Sequence, residues 1–430
     1  MRYFKLLAAM CCALRALTAQ PPQPPAIHLT LDEAQRLAIQ NNPQFTAARY
    51  NAAAAYQVAP QYKAAYEPSV SGSFTSVEAD NGSRLAAGGL NNPVVYSRVG
   101  SGLTVGQMIT DFGRTGNLVA MAKLQASAQD QVTETTRAQI LLNTSRAYFA
   151  VLRAQSVLKV ATETVTARQT VSDQVTALAE SKLKSTLDVS FANVNLADAK
   201  LLLVQAQNDL KGAEANLASA MGLPNEAGFA LDEAPMPPAL SDRVADLIQE
   251  AINNRPELKS LRLQQNAAER FTKAEHALNY PTIGVVGTAG FVPTGYEAIP
   301  GKYGAIGMNV SIPIFNGGLF KARQKQAEAR AKAATENVND LQNQVVRDVR
   351  VAYLNATTAY DRMALTQQLL QQATLALDLA KTRYELGLSN IVELSTAQLN
   401  LTSAQIADTS AHYEYQSQRI LVDYQAGVLR

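Results

Sequence analysis

Asp111-Phe112-Gly113, inside MITDFGRTGNLV (108–119), is the tripeptide with which protein kinases hold magnesium against ATP. Phosphoryl transfer of that kind also needs a glycine-rich phosphate loop, a lysine on a strand and an H-R-D-x-x-x-x-N loop upstream. The chain has none of these, and the glycines before the tripeptide, Gly100, Gly102 and Gly106, alternate with Val99, Leu103 and Val105 as a strand would. Other candidate chemistry is equally thin. His28, His276 and His412 stand in no motif, and single histidines in or beside polar helices are ordinarily solvated. Gly301-Lys302 resembles a phosphate loop, but Tyr303 follows, the upstream glycine spacing is wrong and the segment reads as an external loop. No Ser, Cys or paired-carboxylate arrangement points to catalysis. The sequence therefore predicts no enzyme, no cofactor and no metal site, and the tripeptide needs a backbone explanation.

That explanation lies in the elements around it. The 430 residues are 17% charged, lack Trp and carry a formal charge of +2 with mixed signs, which suits an extended Ala-rich molecule better than several compact cores. No basic block steers nucleic acid. The N-terminus MRYFKLLAAMCCALRALTAQPPQPP has the order of a secretory signal, with cleavage placed after Ala19; its apolar run is too short to span a bilayer. Cys11 and Cys12 both lie inside it, so the mature chain is expected to carry no thiol, and Met10 makes a poor neighbour for a lipid-anchored cysteine.

The chain is written twice. LDEAQRLAIQNNPQF (31–45) returns as VADLIQEAINNRPEL (244–258), Tyr66-Glu67-Pro68-Ser69-Val70 as Asn279-Tyr280-Pro281-Thr282-Ile283, Ala147-Tyr148 as Ala352-Tyr353, and Met221-Gly222 as Ala426-Gly427. A first repeat over 20–222, a linker over 223–242 and a second repeat over 243–430 follow. Each repeat carries two strand patterns, at about 68–77 and 98–109 and at about 281–292 and 304–313, apolar on one face and small or polar on the other. Strands of that length and dyad can cross an outer membrane; the alternative is a soluble two-hairpin sheet over a core. Everything else reads as helix. No Gly or Pro occurs from Asn117 to Lys211 or from Leu319 to Leu386, and the second run alone would reach roughly 100 Å. Helical reversals are placed at about 181–188 and 386–390. Phe112-Gly113 and Phe315-Asn316-Gly317-Gly318 then mark where a strand becomes a long helix; glycine permits the turn, the phenylalanines suit a lipid–water interface, and Asp111 favours the helix dipole.

Duplicated Asn-Pro helix starts, SIPIFNGG after the fourth strand and RYELGLSNIVELSTAQLNL at the second reversal together resemble the TolC-like outer membrane efflux family over nearly all of the mature chain. The resemblance implies a mainly α fold with a membrane β-barrel part. Homotrimers would share a twelve-stranded barrel, four strands per chain, continued by a periplasmic α-helical barrel. It implies an exit duct, embedded in outer membrane lipid, for tripartite efflux or type I secretion, docking through a periplasmic adaptor to an RND-, ABC- or MFS-type inner-membrane transporter. Physical reasoning reaches part of this alone, since four strands cannot close a barrel and open edges in lipid leave backbone groups unpaired. The competing class is a soluble periplasmic coiled-coil scaffold or adhesin, which explains the helices but not the hairpins.

By the same resemblance, Leu386-Gly387-Leu388-Ser389 matches the tip element that meets the adaptor. The first-half equivalent, Ser181-Lys182-Leu183-Lys184, departs from it. Asp188 aligns with Glu393 across the repeat, and the family pattern has Tyr384 bonding Asp188 to close the periplasmic gate while Glu393 contributes to an acidic ring that favours cations. Thr396 and Ser389 stand where the family carries a second acid and an arginine, which implies a weaker closed state. Dipole stabilisation of a helix start is the plainer account of both acids. Lys321, Arg323, Lys325 and Arg330 follow the last strand as either a solvated helix face or a contact for anionic groups at the membrane.

Overall fold

The computed structural model describes residues 27–80, 98–223, 229–241, 243–292 and 301–429. The expected signal segment 1–19 and both cysteines lie outside the described residues. After strand β1 (Ile27–Leu29), the first half runs α1 (Leu31–Asn41), α2 (Pro43–Tyr56), α3 (Val58–Lys63), β2 (Ser69–Val77), β3 (Arg98–Thr110), α4 (Arg114–Glu180) and α5 (Thr186–Ala220). Strand β4 (Phe229–Leu231) leads into α6 (Val244–Asn254), α7 (Pro256–His276), β5 (Thr282–Phe291), β6 (Lys302–Ser311), α8 (Leu319–Glu385) and α9 (Ile391–Gln425). Both long helices have 67 residues and both returning helices 35, so the duplication extends to element length.

Local chemistry sets these bounds. Thr30 Oγ1 accepts from the Glu33 amide at 3.3 Å while Glu33 Oε2 accepts from the Thr30 amide at 2.9 Å, a capping box that starts α1. Pro43 and Pro256 disfavour helix in the residue before them; Asn42 and Arg255 have ψ of 120° and 122°, and a new helix starts at each proline. Each half then closes on its own bend. Gly222, after α5, has φ +70°, and a Cβ there would lie 2.8 Å from the Asn41 carbonyl oxygen. Gly427, after α9, has φ +73°, and a Cβ would lie 2.9 Å from the Arg255 amide nitrogen. Only glycine meets both demands.

The chain forms two compact units, Met1–Asn42 with Ile140–Leu240 and Leu354–Val422, and Pro43–Gln139 with Ser241–Tyr353 and Asp423–Arg430. Neither is one repeat, because each draws segments from both. In the first unit β1 and β4 pair in parallel, Leu29 opposite Leu231. Tyr148, fully buried on α4, places its hydroxyl within hydrogen-bond reach of the carbonyls of Leu29 (2.9 Å) and Asp232 (2.7 Å). Burial pushes that hydroxyl up to about 12, with the Asp232 charge adding to it. Tyr415 donates to Pro238 O at 2.6 Å and Gln416 to Ala234 O at 3.1 Å. The segment read as a linker is thus held along much of its described length.

The second unit contains a four-stranded antiparallel sheet in the order β2-β3-β5-β6. Val70 stands opposite Val105, Leu103 opposite Ala289, Val285 opposite Met308 and Ile283 opposite Val310. One face therefore carries these residues with Phe74 and Ile306, and the other carries Ser71, Ser73, Thr75, Gly102, Thr104, Thr288, Gly290 and Asn309. Phe74 and Ile306 are 73% and 82% exposed, so nothing among the described residues covers them on the apolar face. Lys302 opens β6 opposite Phe291, so Gly301-Lys302 leads directly into a strand and is not loop throughout. Beyond the sheet, Leu118 and Met121 of α4 pack on Ala267 and Ala274 of α7, and Val345 and Val349 of α8 on Ala251 of α6.

Gly222→Ala should lower the unfolding midpoint in detergent at a cost of about 2 kcal/mol or more, from the left-handed φ and the backbone overlap together. Gly116, in α4 with open space where a Cβ would go, should accept alanine with no loss or a gain of up to about 1 kcal/mol. Thermal melts of the two variants with equal midpoints would contradict this account of the bend.

Candidate functional site

The two helical reversals, both in the first unit, are built alike. At the end of α8 the Leu388 amide donates to Arg383 O at 2.8 Å and the Gly387 amide to Tyr384 O at 3.1 Å, with Gly387 at φ +72°, a Schellman turn. Asn390 Oδ1 then accepts from the Glu393 amide at 3.0 Å and starts α9. At the end of α4 the Leu183 amide donates to Leu178 O and the Lys182 amide to Ala179 O, both at 2.9 Å. Here the left-handed position, φ +61°, is occupied by Lys182. Leu183, Leu386 and Leu388 are exposed at the turns, and Ser389 keeps a buried hydroxyl without a hydrogen-bond partner.

Tyr384 joins the two helical hairpins. It packs with Val175 of α4, Ala192 of α5 and Ile391 and Leu394 of α9, beside a groove of about 920 Å³ that Leu183 and Lys184 also line. Its hydroxyl is buried with no hydrogen-bond partner, and the Lys184 ammonium lies 4.0 Å from its ring centroid. The expected Tyr384–Asp188 bond is absent within the chain. Asp188 instead closes a capping box, Oδ2 accepting from the Ser185 amide at 3.0 Å and the Ser185 hydroxyl at 3.1 Å. Burial first, and then the charge of Asp188, still raises the Tyr384 hydroxyl above its ordinary range. Glu393 is not a free acid either, since Arg383 Nε lies 2.9 Å from its Oε1. The reading of an acidic ring omitted Arg383, although it sits one residue before Tyr384.

The strand-to-helix junctions lie in the second unit. Phe112 and Gly113 have φ of +53° and +93°. Asp111 is buried and receives the Thr115 amide (2.6 Å), the Gly113 amide (3.2 Å) and the Tyr66 hydroxyl (3.2 Å). Burial alone would raise its carboxyl, but these hydrogen bonds outweigh it and hold the group below the usual carboxylate range. The kinase-like tripeptide is a helix cap. Phe112 is half exposed and stacks at a tilt on Tyr280, centroids 6.0 Å apart. In the second half Gly317 and Gly318 have φ of +62° and +83°, and Phe315 is 88% exposed. Arg323 leaves the solvated-face reading: its Nε and Nη2 donate to the buried Glu275 carboxylate at 2.6 and 2.8 Å. No local pattern around Glu275 signals that pair. Among the described residues no group of three or more His, Cys, Asp or Glu could hold a metal ion, and no helix is long and apolar enough to cross a membrane.

A family model described as outer membrane efflux protein matches residues 35–223 and 247–423. Outer membrane protein TolC of Salmonella enteritidis is 25% identical over 352 residues, covering 79% of this chain and 71% of its own. Outer membrane efflux protein BepC of Brucella suis biovar 1 is 26% identical over 415 residues, covering 95% and 86%. In fold, the chain is similar to the outer membrane protein VceC of Vibrio cholerae, with a TM-score of 0.78 at 21% identity over 92% of this chain and 96% of that one.

Lys182 in a left-handed turn carries a cost that glycine would not, so Lys182→Gly should stabilise the first reversal by roughly 1 kcal/mol. Hydrogen exchange of amides 181–185 should slow in that variant, whereas Gly387→Lys should quicken exchange at 386–390; the opposite order would show that the lysine is held by contacts beyond its turn.

Proposed function

The chain belongs to the outer membrane efflux protein family, and from that premise we propose that three copies share one barrel and one helical duct whose reversals meet a periplasmic adaptor. The protein is an outer membrane efflux channel and not an enzyme, which removes the soluble scaffold reading. One observation carries the assembly: the sheet is apolar on one exposed face, and β2 and β6 are its edges, each with no outer neighbour among the described residues. Lipid offers such edges no hydrogen bonds, so further copies must supply them. An exposed seam on α5, Leu187, Phe191, Val194 and Leu201, repeats at coiled-coil spacing and offers helices of other copies a matching surface. The family resemblance supports three copies, with a periplasmic adaptor and an inner-membrane transporter as partners.

In this reading the exposed leucines of the two reversals, with Gly387, Ser389 and Lys184, form the adaptor-docking tip. Asp188, Tyr384 and Glu393 lie at the periplasmic gate. Lys184 over the Tyr384 ring takes the holding role within each chain, and Arg383 offsets part of the Glu393 charge.

Detergent-purified protein should be trimeric by mass photometry, and only monomers in several mild detergents would refute the shared barrel. Gly387→Trp should abolish export while trimers still reach the outer membrane; unimpaired export would remove the docking role. In planar bilayers Glu393→Gln should reduce cation preference and Arg383→Gln should increase it, because the second change frees the carboxylate. Unchanged selectivity in both would place the selective ring elsewhere.

A further inference from the structure

The segment that leaves β6 is apolar and then cationic. Ile314 and Phe315 are 93% and 88% exposed and Leu319 is 54% exposed, and Lys321 and Lys325 follow as the third and seventh residues of α8. At four residues apart they share one face of the helix, within roughly 10 Å of its start. Both are exposed, and neither has an ion-pair partner among the described residues. Several carboxylates on the helical side of the sheet are already engaged: Glu67 with Lys63, Asp111 with Thr115, Gly113 and Tyr66, Glu275 with Arg323, and Glu328 with His276. Cations near a helix N-terminus oppose its dipole, and the first turn of α8 has no acid to offset them. The first-half helix carries Arg114 and Lys123 over the corresponding stretch, at positions other than those of Lys321 and Lys325.

We propose that Lys321 and Lys325, with Ile314 and Phe315, form a binding surface for the phosphate headgroup of an anionic phospholipid in the membrane leaflet nearest the helices. The apolar residues continue the exposed face of the sheet into the acyl boundary. The lysines stand where a long stem on apolar surface delivers an ammonium to the headgroup level. Arg323, between them, is withdrawn by Glu275, and among the described residues no carboxylate pairs with either lysine. The surface shares no residue with the proposed docking tip, and it rests only on the sheet being in the outer membrane.

Native mass spectrometry of the full-length mature protein, released from micelles containing equal phosphatidylglycerol and phosphatidylcholine, tests this directly. Phosphatidylglycerol should be retained over phosphatidylcholine by at least about fivefold, with the preference lost in K321Q/K325Q and kept in K321R/K325R. No preference in the parent, or an undiminished one in K321Q/K325Q, would overturn the proposal. So would loss of the oligomer in K321Q/K325Q, which would assign the lysines to carboxylates of a neighbouring copy, or displacement of the phospholipid by lipopolysaccharide at equal concentration, which would assign the surface to that lipid. Carbonate extraction of K321Q/K325Q separates this test from the membrane assignment, since the variant should remain in the membrane pellet.

Discussion

A backbone amide or carbonyl in hydrocarbon has no water to pair with, and each unpaired group costs several kcal/mol. Four strands with β2 and β6 as open edges cannot meet that demand alone. Much of the molecule can be read as its consequence. The dyad of Val70, Leu103, Val285 and Ile306 against Ser71, Thr104, Thr288 and Asn309 is what a closed sheet between lipid and water requires. The turns at Phe112-Gly113 and Gly317-Gly318 follow the strands and start helices with early amides attended, by Asp111 in one case and Asn316 in the other. Glu275, buried at the end of α7, does not go unpaired, because Arg323 meets both of its oxygens.

The helical parts obey a different rule. Their cores are largely alanine: Ala34, Ala38, Ala122, Ala126, Ala161, Ala199 and Ala206 are nearly or completely buried. Small side chains let helices approach closely along their length while contributing little transfer free energy apiece, so cohesion comes from many contacts of low individual value. Large side chains are kept for particular joints, such as Tyr148 beneath the β1–β4 pair, Tyr384 between the helical hairpins, and Tyr415 against the segment at Pro238. Each has an apolar ring to fill space and a hydroxyl that either finds a carbonyl or, for Tyr384, is left without one.

Where the sequence was readable, a period or a backbone rule was at work. Alternation placed the strands, Asn-Pro and Arg-Pro placed the helix restarts, and the absence of Gly and Pro marked the long helices. Sequence could not show β1 and β4, because three residues set no period and their pairing joins residues about two hundred positions apart. The same limit hid Arg323–Glu275. At the gate, matching Asp188 to a bond with Tyr384 overlooked Ser185, whose N-cap competes locally for the same carboxylate at no cost in loop closure. Placing Glu393 in an acidic ring left out Arg383 for a related reason: they are ten residues apart in sequence, and only the turn at Gly387 brings them together.

Equal lengths of 67 and 35 residues in the two halves have a consequence for how such a chain can change. A single-residue deletion inside a long helix rotates everything beyond it by roughly 100°. It would turn the Leu187–Leu201 type of seam, or the face bearing Val345 and Val349, away from its partner, whereas a change of seven residues would nearly restore the phase. Substitution is cheap along these helices and insertion is not. Variation in length is therefore channelled to the strand-connecting segments around 81–97 and 293–300, which already differ between the halves and can change without disturbing helical phase.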